Sequence, residues 1–303
     1  MEGTTARLRI GIGGWEHEVL DRCLYPQPGM GSLEKLSFYA QFFGTVEVRP
    51  TFWDESLGPG DAREWASAVG TDFQFIVKLH RRFTHERAMR SALARSTRAI
   101  LAELARRDRL GGLLLQFPYS FTNTGPARYH LARLAEAFRG FRLLVEFRHE
   151  SWNQTTTGAL LAEHAMAPAI VDMPRIRQLG PLGRVRPDGT AYLRLHGRNE
   201  KGWLLPAMDL RYDYLYNKRE LAELKRRIDH LTTRSQTSLV VFNNTTGGKA
   251  LANALQLQAR LSASRKTVLP PKSIEWFPFL REVAADETLA IPLFTEEPYR
   301  KAI

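Results

Sequence analysis

The residues of this 303-residue chain that could do chemistry stand at the ends of short β-rich runs. Alternate side chains of a strand share a face. In 73–80, Phe73, Phe75, Val77 and Leu79 oppose Gln74, Ile76, Lys78 and His80. In 143–148, Leu143, Val145 and Phe147 oppose Leu144, Glu146 and Arg148. In 191–196, Leu193 and Leu195 oppose Tyr192, Arg194 and His196. In 45–49, Val46 and Val48 oppose Thr45, Glu47 and Arg49. Gln116, Asp172 and Asn243 come from three further runs. Together they give four fixed cations (Arg49, Lys78, Arg148, Arg194) and three carboxylates (Glu47, Glu146, Asp172). His80, His85, His149 and His196 add conditional charge. The slight positive balance suits an anionic ligand, because arginine forks grip phosphate or carboxylate bidentately.

Glu146 is the expected general base and His196 the general acid or electrophile, since a carboxylate beside Arg148 stays ionised while a histidine titrates near neutrality. Lys78 could polarise a carbonyl. Its pairing with Glu47 or Glu146 is preferred here to a Schiff base. Substrate contacts are expected from Glu47, Arg49, Gln116, Arg148, His149, Asp172, Arg194 and Asn243. Asn243-Asn244-Thr245-Thr246-Gly247-Gly248 leads into a helix, with Arg198, Lys201 and Lys249 flanking it. Asn244, Gly247 and Gly248 could therefore cradle a phosphate at a helix N-terminus. A plain glycine turn is the competing reading. Taken singly, each charged residue could equally belong to an internal salt-bridge network.

Glu47, Glu146, Asp172, His149 and His196 are metal-ligand types. Lys78 and the arginines crowd the same end and would repel a divalent cation, and no HxH or HExxH motif is present. A metal is therefore not favoured. Gly11, Gly13 and Gly14 do not extend to a GxGxxG fingerprint, so no nucleotide cofactor is expected. Trp15, Trp53, Tyr119, Phe121, Trp152 and Trp203 lie near strand ends and could stack on a sugar or base. Rim packing is the preferred role for most of them.

The elements that must position these groups alternate along the chain. Strands are expected at 8–13, 45–49, 73–79, 113–117, 143–148, 169–173, 191–196 and 239–243. Helical patterns lie near 32–43, 61–69, 87–108, 126–138, 156–166, 217–232 and 248–262. Gly180, Pro181, Gly183, Pro187 and Gly189 make 175–190 a loop. Eight strands alternating with helices predict a (β/α)8 TIM barrel over 1–263, irregular after strand 6. A doubly wound sheet is the runner-up. Active sites of such barrels sit at the C-terminal ends of the strands, where most of this polar set falls. Residues 264–303 read as an appendage packed on the barrel.

Composition agrees with one folded unit: 44% of residues are hydrophobic and 25% charged, which excludes wholesale disorder and collagen. The apolar run 110–115 is too short to span a bilayer, and residues 1–7 hold no secretory apolar stretch. Cys23 alone cannot form an intrachain disulfide, and a cytoplasmic setting is expected. The net charge of +11 permits a nucleic-acid partner. Much of it is arginine on helices, such as Arg95, Arg98, Arg106 and Arg107, where a solvated face is the simpler reading.

In the same residues the chain resembles the YecE-like family, domain of unknown function family 72. The resemblance spans roughly 8–262. It runs through Gly11-Ile12-Gly13-Gly14-Trp15, Phe38-Tyr39-Ala40, Thr45-Val46-Glu47-Val48, Lys78 with Thr84-His85, and Leu115-Gln116-Phe117-Pro118. It continues through Val145-Glu146-Phe147-Arg148-His149 with Ser151-Trp152, Asp172 with Pro174, Tyr192-Leu193-Arg194-Leu195-His196-Gly197, and Phe242-Asn243-Asn244. It implies a TIM barrel related to sugar-isomerase and endonuclease barrels, with a pocket but no assigned reaction. The family usually continues after Val48 with an asparagine, a small residue and a Phe-Tyr pair. Here Arg49, Pro50, Thr51, Phe52 and Trp53 stand there, adding a cation. The expected function is acid–base chemistry (isomerase, lyase or hydrolase) on a phosphorylated or otherwise anionic sugar-like compound. A nucleic-acid-binding or processing protein is the alternative, and a non-catalytic ligand sensor is a third reading.

Overall fold

The computed structural model describes residues 7–174, 189–205 and 208–286. Its strands are β1 (Arg7–Ile12), β2 (Thr45–Val48), β3 (Gln74–Lys78), β4 (Leu110–Gln116), β5 (Leu143–Glu146), β6 (Met166–Pro168), β7 (Ile170–Asp172), β8 (Thr190–Leu195) and β9 (Thr237–Phe242). All pair in parallel, in the order β6-β5-β4-β3-β2-β1-β9-β8-β7. β6 and β7 are two halves of one strand, split at Ala169, whose N–H donates to the Val145 carbonyl at 2.8 Å. β6 pairs with β5 and β7 with β8, so the ring closes through the chain itself. The eight expected strands are all present, and the fold is a TIM-like α/β barrel.

Helices separate the strands: α1 (Leu20–Cys23), α2 (Ser32–Tyr39), α3 (Pro59–Ser67), α4 (Arg81–Thr84), α5 (Ser91–Arg106), α6 (Gly125–Ala137) and α7 (Thr155–Glu163). Later come α8 (Glu200–Leu204), α9 (Met208–Arg211), α10 (Lys218–Thr232), α11 (Lys249–Leu261) and α12 (Pro271–Trp276). Their faces follow from spacing. In α10, Leu221, Leu224 and Ile228 recur at helical intervals and are buried. Its start is fixed by a capping box: the Asn217 side chain accepts from Glu220 N–H, and the Glu220 carboxylate accepts from Asn217 N–H. In α5, Ile100, Leu101 and Leu104 face the strands. Arg106 and Arg107 pair with Glu103 on the outer surface, as a solvated face does.

Parity sorts the strands as their sequence demands. Val46, Val48, Phe75, Val77, Val145, Leu193 and Leu195 pack outward under the helices. Ile76, Leu114, Leu144, Ala167, Ala169, Tyr192, Leu239 and Val241 form a separate plug inside the ring. The middle of the lumen is therefore apolar, with the Glu47, Glu146 and Arg194 layer above it toward the C-terminal ends and Arg9, Thr45 and Gln74 below it at the N-terminal ends. Of the expected loop at 175–190, all but the last two residues lie outside the described residues.

Residues 264–286 carry Leu269, Leu280 and Ala284 into the same outer core as the barrel helices. Among the described residues no helix is long and apolar enough to cross a membrane. Cys23 is buried in α1, and burial pushes its thiol up to about 12. A disulfide reagent such as DTNB is expected to react with none of the folded protein's thiol at pH 8, and with one equivalent after unfolding in guanidinium. Rapid reaction of the native protein would contradict this packing.

Candidate functional site

Above the apolar plug, the ends of β2, β5, β8 and β9 bring Glu47, Glu146, Arg194, His196 and Asn243 into one hydrogen-bonded cluster. Arg194 is its hub. Its Nε and Nη2 donate to the two oxygens of Glu47, both at 2.8 Å, and its Nη1 donates to Glu146 Oε2 at 2.7 Å. Arg148 Nε donates to the other Glu146 oxygen at 2.5 Å. The Tyr192 hydroxyl donates to Glu47 at 3.2 Å. Both carboxylates are fully buried. Burial opposes their ionisation, but Arg194 outweighs it at each, with help from Lys78 at Glu47 and Arg148 at Glu146. Glu47 is held below the usual carboxylate range and Glu146 well below it.

His196 lies between Glu146 Oε1 (3.2 Å from Nε2) and the Asn243 amide (3.0 Å from Nδ1). Asn243 Oδ1 faces Arg194 Nη2 at 3.5 Å, so its amide nitrogen is the group that points at His196. The network assigns the neutral tautomer: Nδ1 accepts from Asn243 and Nε2–H donates to Glu146. Burial lowers the His196 pKa to about 4, with Arg148 and Arg194 adding to it against Glu146. Gly13 makes room for Asn243, because a Cβ there would stand 2.5 Å from Asn243 Oδ1.

Both residues expected to move protons are thus tied into the network: Glu146 accepts at one oxygen from Arg194 and at the other from Arg148 and His196, and His196 is hydrogen-bonded at both ring nitrogens.

The outermost layer differs. Lys78, at the end of β3, places its ammonium 4.0 Å over the Phe52 ring. Thr51 sets that ring by donating its hydroxyl to the Lys78 and Val48 carbonyls, at 2.7 and 3.0 Å. Burial, Arg194 and Arg49 lower the Lys78 amine to about 7, against the raising pull of Glu47 and Glu146. Arg49 reaches the Gly13 carbonyl (3.3 Å) and His17 Nε2 (2.9 Å). Among the described residues neither Lys78 nor Arg49 has a carboxylate within 4.0 Å. Both departures from the usual family pattern noted above, Arg49 and the Pro50-Thr51-Phe52 turn, therefore bear on Lys78.

A roof of aromatic residues leans over the cluster. The Arg148 guanidinium lies 4.9 Å from the Trp203 ring, and the Tyr212 ring centre is 5.8 Å from that of His196. Burial raises the Tyr212 phenol, but Arg148 and Arg194 outweigh it and hold it below its ordinary range. Tyr212 and His17 were missed from sequence. The signal was the run of aromatics between β8 and α10: Trp203, Tyr212, Tyr214 and Tyr216. Lys78, Gln116 and Arg148 keep slight exposure (8, 9 and 7%), whereas Glu47 and Glu146 have none.

Several expected members lie elsewhere. Ile170 faces the outer core and Ala169 the inner plug, so Asp172 points outward. There it accepts from Arg198 at 2.8 and 2.9 Å, the Tyr216 hydroxyl at 2.8 Å and Arg227 at 3.3 Å. His149 caps a short turn by accepting from Ser151 N–H and packs against the Tyr119 ring at a tilt of 50°. His80 likewise caps α4 through Arg82 N–H and lines a water-sized cavity with Thr51 and Thr97. Gln116 is inside the ring beside Glu146 in register, with its amide on the Phe117 carbonyl at 3.2 Å.

The glycine turn also serves packing. Gly247 and Gly248 have φ of +64° and +77°, and a Cβ on Gly248 would meet Cys23 and Phe277. Asn244 ties the turn to the Tyr214 carbonyl and Asn253. Lys249 is paired with Asp213, and Arg198 with Asp172. Two of the three cations flanking the expected phosphate cradle are thus already engaged. As for a metal, among the described residues no three His, Cys, Asp or Glu side chains converge to hold an ion.

A family model described as "Protein of unknown function DUF72" matches residues 9–276. The chain belongs to the DUF72 family. The UPF0759 protein YunF of Bacillus subtilis (strain 168) is 27% identical over 288 residues, covering 88% of this chain and 99% of that protein. A crystal structure of a DUF72 family protein from Thermotoga maritima MSB8 superposes with a TM-score of 0.74 at 29% identity, covering 84% of this chain and 99% of that one. Another, from Enterococcus faecalis V583, gives 0.71 at 26% identity, covering 83% and 94%. No reaction comes with the DUF72 assignment, so the functional reading rests on the cluster.

Proposed function

We propose that this DUF72 protein is an enzyme that binds a small anionic, sugar-like compound at the C-terminal mouth of the barrel, a phosphorylated one fitting best, and works on it by proton transfer. One observation carries the reading. The buried carboxylates Glu47 and Glu146 are consumed by Arg194 and Arg148, which leaves Lys78 and Arg49 as cations without a carboxylate partner at the mouth. A partly desolvated cation without a counter-ion gains most from an incoming anion. Lys78 takes the proton-moving role expected of Glu146, because its amine titrates near neutrality. Arg148, Trp203 and Tyr212 would line the ligand's other side.

Glucose 6-phosphate at about ten times its dissociation constant is expected to raise the unfolding midpoint by about 3 °C. Glucose at the same concentration leaves it unchanged. The double variant Arg49→Gln/Lys78→Gln loses the shift, and 0.5 M salt weakens it. Equal shifts with both sugars would contradict the anionic preference. Salt-dependent binding of an oligonucleotide without any sugar-phosphate shift would move the reading to nucleic acid.

A further inference from the structure

We infer that Lys78 captures the carbonyl carbon of a phosphorylated or carboxylated aldehyde or ketone as a covalent imine, with Arg49 holding the anionic group. The inference rests on the function proposed above and names its substrate class.

The chain has nine lysines against 34 arginines. Among the buried residues described, Lys78 is the single lysine. Every other fixed cation of the site is an arginine, which cannot give up its proton. A lysine at this one position supplies what arginine cannot, a neutral amine. The surroundings favour that form. The nitrogen is buried, carries no ion pair among the described residues, and has Arg194 and Arg49 as electrostatic neighbours, which together outweigh the pull of the Phe52 ring face on the charged form. Glu47 and Glu146 pull the other way, but neither pairs with it directly, because their oxygens accept from Arg194, Arg148 and His196.

The step balances without an outside reagent. The Lys78 nitrogen lone pair attacks the carbonyl carbon, and the C=O π electrons move to oxygen. The nitrogen gives one proton to that oxygen, forming a carbinolamine. The nitrogen lone pair then expels the hydroxyl, which takes the second amine proton and leaves as water. The resulting imine, once protonated from solvent, is an electron sink that makes the neighbouring C–H or C–C bond easier to break. Isomerisation and carbon–carbon cleavage of a sugar phosphate both use such a sink.

The test is reductive trapping of the full chain at pH 7 with D-glyceraldehyde 3-phosphate and sodium cyanoborohydride, read by peptide mass spectrometry. Lys78 is expected to carry the adduct at about tenfold or more the occupancy of any exposed lysine, since burial and Arg194 lower its amine to about 7. Uncharged glyceraldehyde, or the Arg49→Gln variant, is expected to lower Lys78 labelling by about tenfold, the value of one charge-assisted contact. Lys78→Met removes the adduct while the other lysines label as before. Labelling spread over exposed lysines with Lys78 unmodified would overturn the inference. If that happens while glucose 6-phosphate still raises the unfolding midpoint, the imine is wrong and the anion site stands. If the sugar-phosphate shift is also missing, both fail.

Discussion

Arg194→Met is expected to destabilise the barrel by about 3–5 kcal/mol, measured by urea unfolding at pH 7. Arg194 is 2% exposed and satisfies three carboxylate oxygens at 2.7–2.8 Å. Methionine fills a similar volume, so little of the loss is packing. The loss comes from Glu47, which keeps the Tyr192 hydroxyl and the fields of Lys78 and Arg49, and from Glu146, which keeps Arg148 and His196. A buried carboxylate deprived of its partner is far more costly than a missing ion pair. The double variant Glu47→Gln/Arg194→Met removes the stranded charge and is expected to recover more than half of the loss. A native-like Arg194→Met would show that water reaches these carboxylates freely, and the description of a sealed ionic hub would be wrong.

Lys78→Met is expected to do the opposite and stabilise the protein by about 2 kcal/mol at pH 7. The Lys78 amine titrates near 7 when folded and near its ordinary 10.5 when unfolded. Between those values the unfolded chain holds more protons, so wild-type stability rises with pH from about 7 to 10.5. Below 7 the full penalty of the buried charge is present. At pH 7 the shift alone corresponds to about 4 kcal/mol. Loss of the cation–π contact with Phe52 offsets part of what removing the charge returns. The difference between wild type and variant should shrink toward pH 10 and vanish above it. A residue that lowers stability while held in place is the pattern expected where function constrains a site. A destabilised Lys78→Met would mean that the amine is a structural cation after all.

Much of this cluster was legible because strands have a strict two-residue period. Parity alone placed Glu146 with Arg148 and Arg194 with His196, and put Leu144 and Tyr192 below them in the plug. Asp172 failed for a specific reason. The sixth strand reads Ala-Ile-Val-Asp, and choosing its polar side as the inner one ignored Ala169 and Val171, which fit the narrow lumen. Its true partners, Arg198, Tyr216 and Arg227, lie 26 to 55 residues later, and no local pattern links them. The hydrogen-bond partners of Glu146 and His196 were not legible, because charge type is visible in sequence and hydrogen-bond occupancy is not. The same limit hid the Phe52 platform, which follows from Thr51 bonding across to β3 and from the packing of the ring on Trp53 and His85.

Lys78, in the mouth of the barrel, has no carboxylate partner among the described residues and gives up its proton near neutrality. Carbon-13 labelling at lysine Cε, with an NMR titration from pH 5 to 11, measures it directly. One of the nine lysine signals is predicted to titrate near pH 7, to be absent in Lys78→Met, and to move upward when glucose 6-phosphate is added. A spectrum in which every lysine titrates above about 9.5 would contradict it.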